Sequence, residues 1–485
     1  MTQTIVIAGS GFAGLGLAIR LKKAGIDDFV IYEKADRIGG VWRDNTYPGV
    51  ACDVPAHLYS FSFEPNPRWT RLFAPQKEIL AYLEHCADKY ALRSHLRLGE
   101  GIRAATFDEK SGTWAVETTK GAKVEARVLV SASGHALTTP VLPNIRGIER
   151  FEGKIFHSAR WDHSYSIAGK RVAVIGTGAS AIQIVPNIVD QVAKLVVYQR
   201  TAPWVLARPE VAITEKAQNL FARRPIIQKA LRGAIYGFME SLAVGFVVDP
   251  RMNRFRERSA RRFLEHSVPD RALRERLTPS FTLGCKRTLY SRDWYPALQR
   301  AHTTVVTDAI REITEHGIID ASGNEQALDA IVLATGFEAA EAAAPFELHG
   351  RDGQDIRTAW KDGIEAYLGA TIPGLPNLFL MLGPNTGLGH SSMIYMMESQ
   401  MNYVVDAIQT MRKKKLRWVD VKRDVMRSFN DELQAKLVKT VWMNGGCQSW
   451  YKTKEGKNTT LWPDFTFQFR RRTRRFDLES YDTAS

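Results

Sequence analysis

Two short glycine-rich loops constrain this 485-residue chain more than any other feature. Gly9-Ser10-Gly11-Phe12-Ala13-Gly14 follows the apolar run Thr4-Ile5-Val6-Ile7-Ala8. Gly176-Thr177-Gly178-Ala179-Ser180-Ala181 follows Arg171-Val172-Ala173-Val174-Ile175, and the two loops start 167 residues apart. Each predicts a buried strand, a tight turn and a helix. The first glycine makes the turn, the second lets backbone approach a pyrophosphate, and the third position lets helix and strand pack closely. Phosphates then rest on the N–H groups of the helix N-terminus. A single match is weak, but here both follow strand patterns and open helical ones.

The residue closing the next strand separates the two sites. Glu33 ends Phe29-Val30-Ile31-Tyr32-Glu33, 19 residues after Gly14. A carboxylate there accepts a hydrogen bond from a ribose 2′-hydroxyl and repels a 2′-phosphate. Arg200 lies 19 residues after Ala181, and its fork suits a 2′-phosphate, with the Thr201 hydroxyl as an added donor. The first site is therefore expected to hold the adenosine of FAD, and the second to prefer NADPH.

The expected fold class is α/β, with two Rossmann-like dinucleotide-binding domains for FAD and NADP and a helical insertion in the NADP domain. Residues 1–150 form the first part of the FAD domain, and residues 151–333 the NADP domain with its insertion at about 211–280. Residues 334–485 return to the FAD domain and end in a tail. Further helices are expected at residues 76–90, 391–411 and 423–439, and further strands at residues 104–107, 114–118, 128–130, 303–306 and 330–333.

Between the loops stands Phe151-Glu152-Gly153-Lys154-Ile155-Phe156-His157-Ser158-Ala159-Arg160-Trp161-Asp162. It resembles the signature of type I Baeyer–Villiger monooxygenases, FAD- and NADPH-dependent enzymes that insert oxygen beside a ketone carbonyl. Related nitrogen and sulfur oxygenases usually lack the Trp-Asp or Trp-Pro ending. Gly39-Gly40-Val41-Trp42-Arg43-Asp44-Asn45-Thr46-Tyr47-Pro48-Gly49-Val50-Ala51-Cys52-Asp53 resembles a second signature of the same family, and the likeness runs from Thr4 to about Arg475. Thr46 and Ala51 depart from it, standing where many relatives carry arginine.

The resemblance implies reaction through a C4a-peroxyflavin that stays deprotonated to attack a carbonyl carbon, giving an ester or lactone. It implies Arg287, in Leu283-Gly284-Cys285-Lys286-Arg287, as the permanent cation facing that negative charge, and Asp53 as its partner. Lys286 is implied beside the 2′-phosphate. Gly40, Val41, Trp42, Val54, Tyr59, Ile102, Asn385 and Met393 are implied FAD contacts, with Trp42 and Tyr47 walling the isoalloxazine. Trp450 matches a mobile-loop tryptophan over the nicotinamide nucleotide, and Ala334-Thr335-Gly336-Phe337 the return between domains. His157, Trp161 and Asp162 read as linker anchors rather than as catalysts. The alternative is a heteroatom oxygenase making N- or S-oxides with the same cofactors. A thiol–disulfide reductase would need a redox-active cysteine pair, and Cys52, Cys86, Cys285 and Cys447 include no Cys-x-x-Cys. Against a non-catalytic sensor stands Arg287.

Composition matters mainly for what it excludes. A net charge of +14 invites nucleic acid, but no nucleic-acid module is visible and anionic cofactors already explain a basic site. Arg470-Arg471-Arg472-Thr473-Arg474-Arg475 reads as a solvated tail or a strand end meeting cofactor phosphates. The cysteines lack zinc-ligand spacing, so no metal is expected and free thiols in a reducing cytoplasm fit. Residues 234–248 are the most apolar stretch; 15 residues are too few to span a bilayer, so a buried or interfacial helix without a stable anchor is expected. The expected partners are a ketone and O2, in a monomer or homodimer.

Overall fold

The computed structural model describes residues 4–134, 139–337, 346–360, 363–453 and 455–485; the outer bound of the first expected domain, residue 1, lies outside them. Ile5–Ala8 is buried on both faces and sits mid-sheet, as a continuous apolar run requires. It pairs in parallel with Phe29–Glu33 on one side and Val128–Ser131 on the other. Leu96–Leu98 and Leu378–Leu380 complete this five-stranded parallel sheet. The last strand therefore comes from far down the chain. Helix Phe12–Lys23 covers one face together with helix Met393–Lys414. Gly16 permits that contact, because a Cβ there would lie 2.3 Å from Met401 Cε. The other face meets an antiparallel sheet built on Ile102–Asp108, Thr113–Thr118 and Lys123–Ala126.

A second five-stranded parallel sheet has Arg171–Ile175 at its centre, between Lys194–Tyr198 and Ala330–Leu333. Thr303–Val306 and Lys154–His157 form its edges. Its two faces carry separate apolar cores, one against helix Ala181–Ile188 and the other against Ile313 and Ile318. Each fully buried Val, Leu or Ile contributes about 1.5–3 kcal/mol relative to exposure. The short strands Val205–Leu206 and Leu289–Tyr290 pair in parallel, and the helices between residues 215 and 276 lie between them in sequence.

Three expectations are revised. The apolar stretch begins earlier than residue 234: Pro225–Val248 is one helical run of 24 residues, long and apolar enough by length and composition to cross a membrane, with 22% of its apolar window buried in the protein. Pro225 starts this run because its missing N–H costs nothing at a helix N-terminus. The arginine run is not a strand end, and its first three residues are helical while Arg471, Arg474 and Arg475 are exposed. Thr466–Arg472 is a helix, with Arg470 3.7 Å from the Tyr395 ring centroid and paired to Glu398. Finally, Cys285 and Cys447 form a disulfide, while Cys52 and Cys86 are free and buried.

Candidate functional site

At the first loop the sequence rule has a direct steric basis. Gly9 has φ +107°, and a Cβ there would lie 2.6 Å from Ala132 O. A Cβ on Gly14 would come within 1.9 Å of Gly9 O, so strand and helix could not pack. Gly11 has only Gly40 within 4 Å of its Cβ direction, at 3.7 Å. The two glycines leave an open backbone cradle at the start of helix Phe12–Lys23. In the second loop Gly176 (φ +112°) meets Ala334 O in the same way, and Gly178 has nothing within 4 Å. Both cradles have the space and the helix N-termini that a pyrophosphate needs. Ala179 and Ser180 are within the second turn, and Thr177 Oγ1 donates to Thr201 O at 3.2 Å.

Glu33 is buried at the end of its strand. Its carboxylate accepts from Ser10 N at 3.0 Å and Ser10 Oγ at 2.8 Å, and Arg43 Nη1 lies 3.1 Å away. Arg43 is thus a buried cation at the first site that the sequence reading passed over. Arg200 and Lys286 make no ion pair with a carboxylate among the described residues. Burial holds the Lys286 ammonium below its ordinary range, and the nearby Arg200 charge lowers it further. Two like charges, neither paired with an acid among the described residues, leave this point net positive.

Asp53 and Arg287 are brought together across 234 residues of sequence. Arg287 Nε donates to Asp53 Oδ2 at 2.9 Å, and Nη2 donates to Oδ1 at 2.7 Å and to Oδ2 at 2.6 Å. Asp53 raises the guanidinium further above its already high range, outweighing burial. Nη1 donates to no group among the described residues, and the side chain stays 40% exposed. The fork is therefore half used, with one nitrogen left for an incoming negative charge.

Trp42 donates from Nε1 to Tyr59 OH at 3.1 Å, and both rings lie in the core of the first sheet with Val54. Val41 packs against that core, as does Met393 at the start of its helix. Ile102 is buried in the core on the sheet's opposite face. Tyr47 lies at the second sheet. Its ring joins the core of the second sheet, and its hydroxyl donates to Gln183 Oε1 at 3.1 Å; burial pushes its phenol up to about 12. Asn385 Nδ2 donates to Asn458 O and Leu461 O, both at 3.0 Å. Trp450 is 46% exposed beside Tyr451. His157 is buried, its Nδ1 accepts from Ala159 N at 3.1 Å, and burial depresses its pKa. Trp161 packs edge-on to Phe156, and Asp162 pairs with Lys154 at 2.8 Å. These three are anchors.

The structure adds residues that sequence reasoning missed. Gln183 ties the loops together, donating from Nε2 to Ala51 O at 3.0 Å while its Oε1 accepts from Tyr47. Its signal was a polar residue in the largely apolar helix Ala181–Ile188. Tyr451 is buried near Arg287 and Asp53; burial pushes its phenol up to about 12, against the pull of Arg287. The Cys285–Cys447 disulfide joins the segment carrying Lys286 and Arg287 to the one carrying Trp450 and Tyr451.

Two glycine cradles, each at a helix N-terminus, and a guanidinium held by a carboxylate define a two-nucleotide redox fold. A family model described as flavin-binding monooxygenase-like matches residues 2–241. A Baeyer–Villiger monooxygenase of Pseudomonas aeruginosa is 48% identical over 98% of this chain and 90% of its own length. One of Streptomyces coelicolor is 46% identical over 98% and 92%. Among solved structures, an oxidised steroid monooxygenase bound to NADP superposes with TM-score 0.87 at 29% identity, over 100% of this chain and 99% of that one. The cyclohexanone monooxygenase of Rhodococcus sp. Phi1 bound to NADP+ gives 0.87 at 25% identity, with the same coverage. The chain belongs to the Baeyer–Villiger monooxygenase family.

Proposed function

We propose that Arg287 and Asp53 form the reaction centre of an NADPH-dependent, FAD-containing Baeyer–Villiger monooxygenase. The balanced reaction is ketone, NADPH, a proton and O2 giving ester or lactone, NADP+ and water. FAD, reduced by NADPH when bound, supplies the activated oxygen. The chain's own groups do the rest. Gly9, Gly11, Gly14 and Gly40 give the FAD pyrophosphate its backbone approach, and Glu33 sits at the ribose. Gly176, Gly178 and Ala181 do the same for NADPH, whose 2′-phosphate falls to Arg200, Thr201 and Lys286. Arg287 stabilises negative charge on the reacting oxygen and on the adduct at the carbonyl carbon. Asp53 orients that guanidinium and compensates its charge.

The observation that carries this reading is the half-used Arg287 fork: Asp53 engages Nε and Nη2 and leaves Nη1 free among the described residues. Cytoplasmic location and a monomeric or dimeric state belong to the same reading. The test is a screen of linear, cyclic, aromatic and steroidal ketones with chromatographic detection of esters and lactones. Ester with every turnover of NADPH supports the proposal. N- or S-oxides alone, from amine and sulfide controls, would replace it with heteroatom oxygenation.

A further inference from the structure

Thirteen large apolar side chains are exposed among the described residues, and eight of them fall within residues 220–255. They are Leu220, Ile226, Ile227, Leu231, Phe238, Val248, Met252 and Phe255, with Phe255 79% and Ile226 69% exposed. On helix Pro225–Ser241 the exposed positions Ile227, Leu231, Ala234 and Phe238 recur at helical spacing and form one stripe. Ile226 lies on the same helix, Leu220 precedes it, and Val248, Met252 and Phe255 follow it.

The opposite face of the same helix is fastened to the protein. Gln228 Nε2 donates to Asn66 O at 2.7 Å, and Arg232 Nη1 donates to His57 O at 2.6 Å and Ser60 O at 2.9 Å. Tyr236 stacks on Tyr395, and Glu240 Oε2 accepts from Thr466 Oγ1 at 2.8 Å. A helix held by four polar residues along its length cannot leave to span a bilayer. It can lie on one.

Charge decides what it lies on. Arg223, Arg224, Lys229, Arg251, Arg254 and Arg258 are exposed around the stripe, and none pairs with a carboxylate among the described residues. Between residues 221 and 256 the only acids are Glu240, buried, and Asp249, which accepts from Arg251 N. A second copy of this chain meeting the face by a two-fold axis would bring these cations together. Nucleic acid would answer the cations but leave the isoleucines and phenylalanines in water.

We propose that the outer face of helix Pro225–Ser241 and the following turn is a peripheral membrane surface, which docks on anionic phospholipid with its apolar stripe in the headgroup boundary and its arginines on the phosphates. The contact is reversible and adds no anchor. Because the inner face carries Tyr236 against Tyr395, two residues beyond Met393, the docked helix is also a wall next to the first nucleotide domain.

The test is co-sedimentation of the full-length holoprotein with vesicles of phosphatidylcholine alone or mixed equally with phosphatidylglycerol. The expected result is pelleting with the anionic vesicles, at least tenfold weaker with phosphatidylcholine alone and reversed by salt. Each replacement among Arg223→Gln, Arg251→Gln and Arg254→Gln lowers partitioning by about fivefold. The triple variant Ile226→Ser, Ile227→Ser, Phe238→Ser lowers it more than tenfold, with unchanged near-ultraviolet circular dichroism and melting midpoint, since these side chains are exposed. Wild-type protein left in the supernatant of anionic vesicles overturns the proposal. So does equal pelleting of the serine variant, which would reduce the effect to bulk charge. A dimer in sedimentation velocity that the serine variant abolishes, without vesicle binding, assigns the face to a second copy and overturns it as well.

Discussion

Replacing Arg287 by Ala removes the one guanidinium that Asp53 holds in the cleft. Asp53 uses Nε and Nη2, so under the proposed function the group left for the reacting oxygen is Nη1, a single preorganised charged donor. Loss of one such donor costs about 3 kcal/mol of barrier, or roughly 150-fold in the oxygenation step. The proposed function gives FAD binding and flavin reduction to other residues, so NADPH oxidation should continue while O2 is released as hydrogen peroxide. The assay measures three quantities in one vessel: NADPH by absorbance, peroxide by coupled peroxidase, and ester by gas chromatography. The ester-to-NADPH ratio should collapse in Arg287→Ala and fall less, about tenfold, in Asp53→Asn, where the guanidinium remains but loses its counter-charge. If Asp53 works only through Arg287, the double variant Asp53→Ala, Arg287→Ala is no worse than Arg287→Ala alone. Wild-type coupling in Arg287→Ala would refute the role of the cation, and additive losses in the double variant would refute the positioning role of Asp53.

Arg200→Ala should raise the KM for NADPH about 10- to 100-fold, from loss of a charge-assisted hydrogen bond, and leave that for NADH nearly unchanged; equal changes would put the 2′-phosphate elsewhere. His57 is buried, and burial with the Arg232 charge lowers its pKa from 6.5 to about 4. The unfolded chain therefore binds a proton that the folded one refuses, so stability present above pH 6.5 is lost as pH falls toward 4, by about 3 kcal/mol. His57→Gln should flatten the urea-unfolding profile across that window, and an unaltered slope would show that His57 is not the titrating group. Cys447→Ser opens a covalent loop between residues separated by 162 in sequence and should cost about 2–4 kcal/mol under non-reducing conditions. Coincident unfolding curves of variant and wild type, or four titratable thiols in the denatured unreduced protein, would contradict the disulfide.

What the sequence determined by itself is local. A glycine whose Cβ would strike the carbonyl five residues earlier, as at Gly14, is legible because strand, turn and helix are contiguous. Glu33 and Arg200 were legible for the same reason, since a strand of fixed rise places them a set distance past each loop. Asp53 and Arg287 emerged from the resemblance, and the structure supplied the geometry of their contact. Tertiary structure alone decided the rest, because it depends on which distant surfaces pack together. The Asn385 amide turned to two carbonyls of residues 458 and 461, and Tyr47 to Gln183. Arg470 of the arginine run packed onto Tyr395 and Glu398, though its charge in sequence carries no direction. Cys285 found Cys447 although no spacing marks a pair so far apart. Short-range sterics are written in adjacent residues; long-range pairing is written only in the sum of the packing, where each contact is set by all the others.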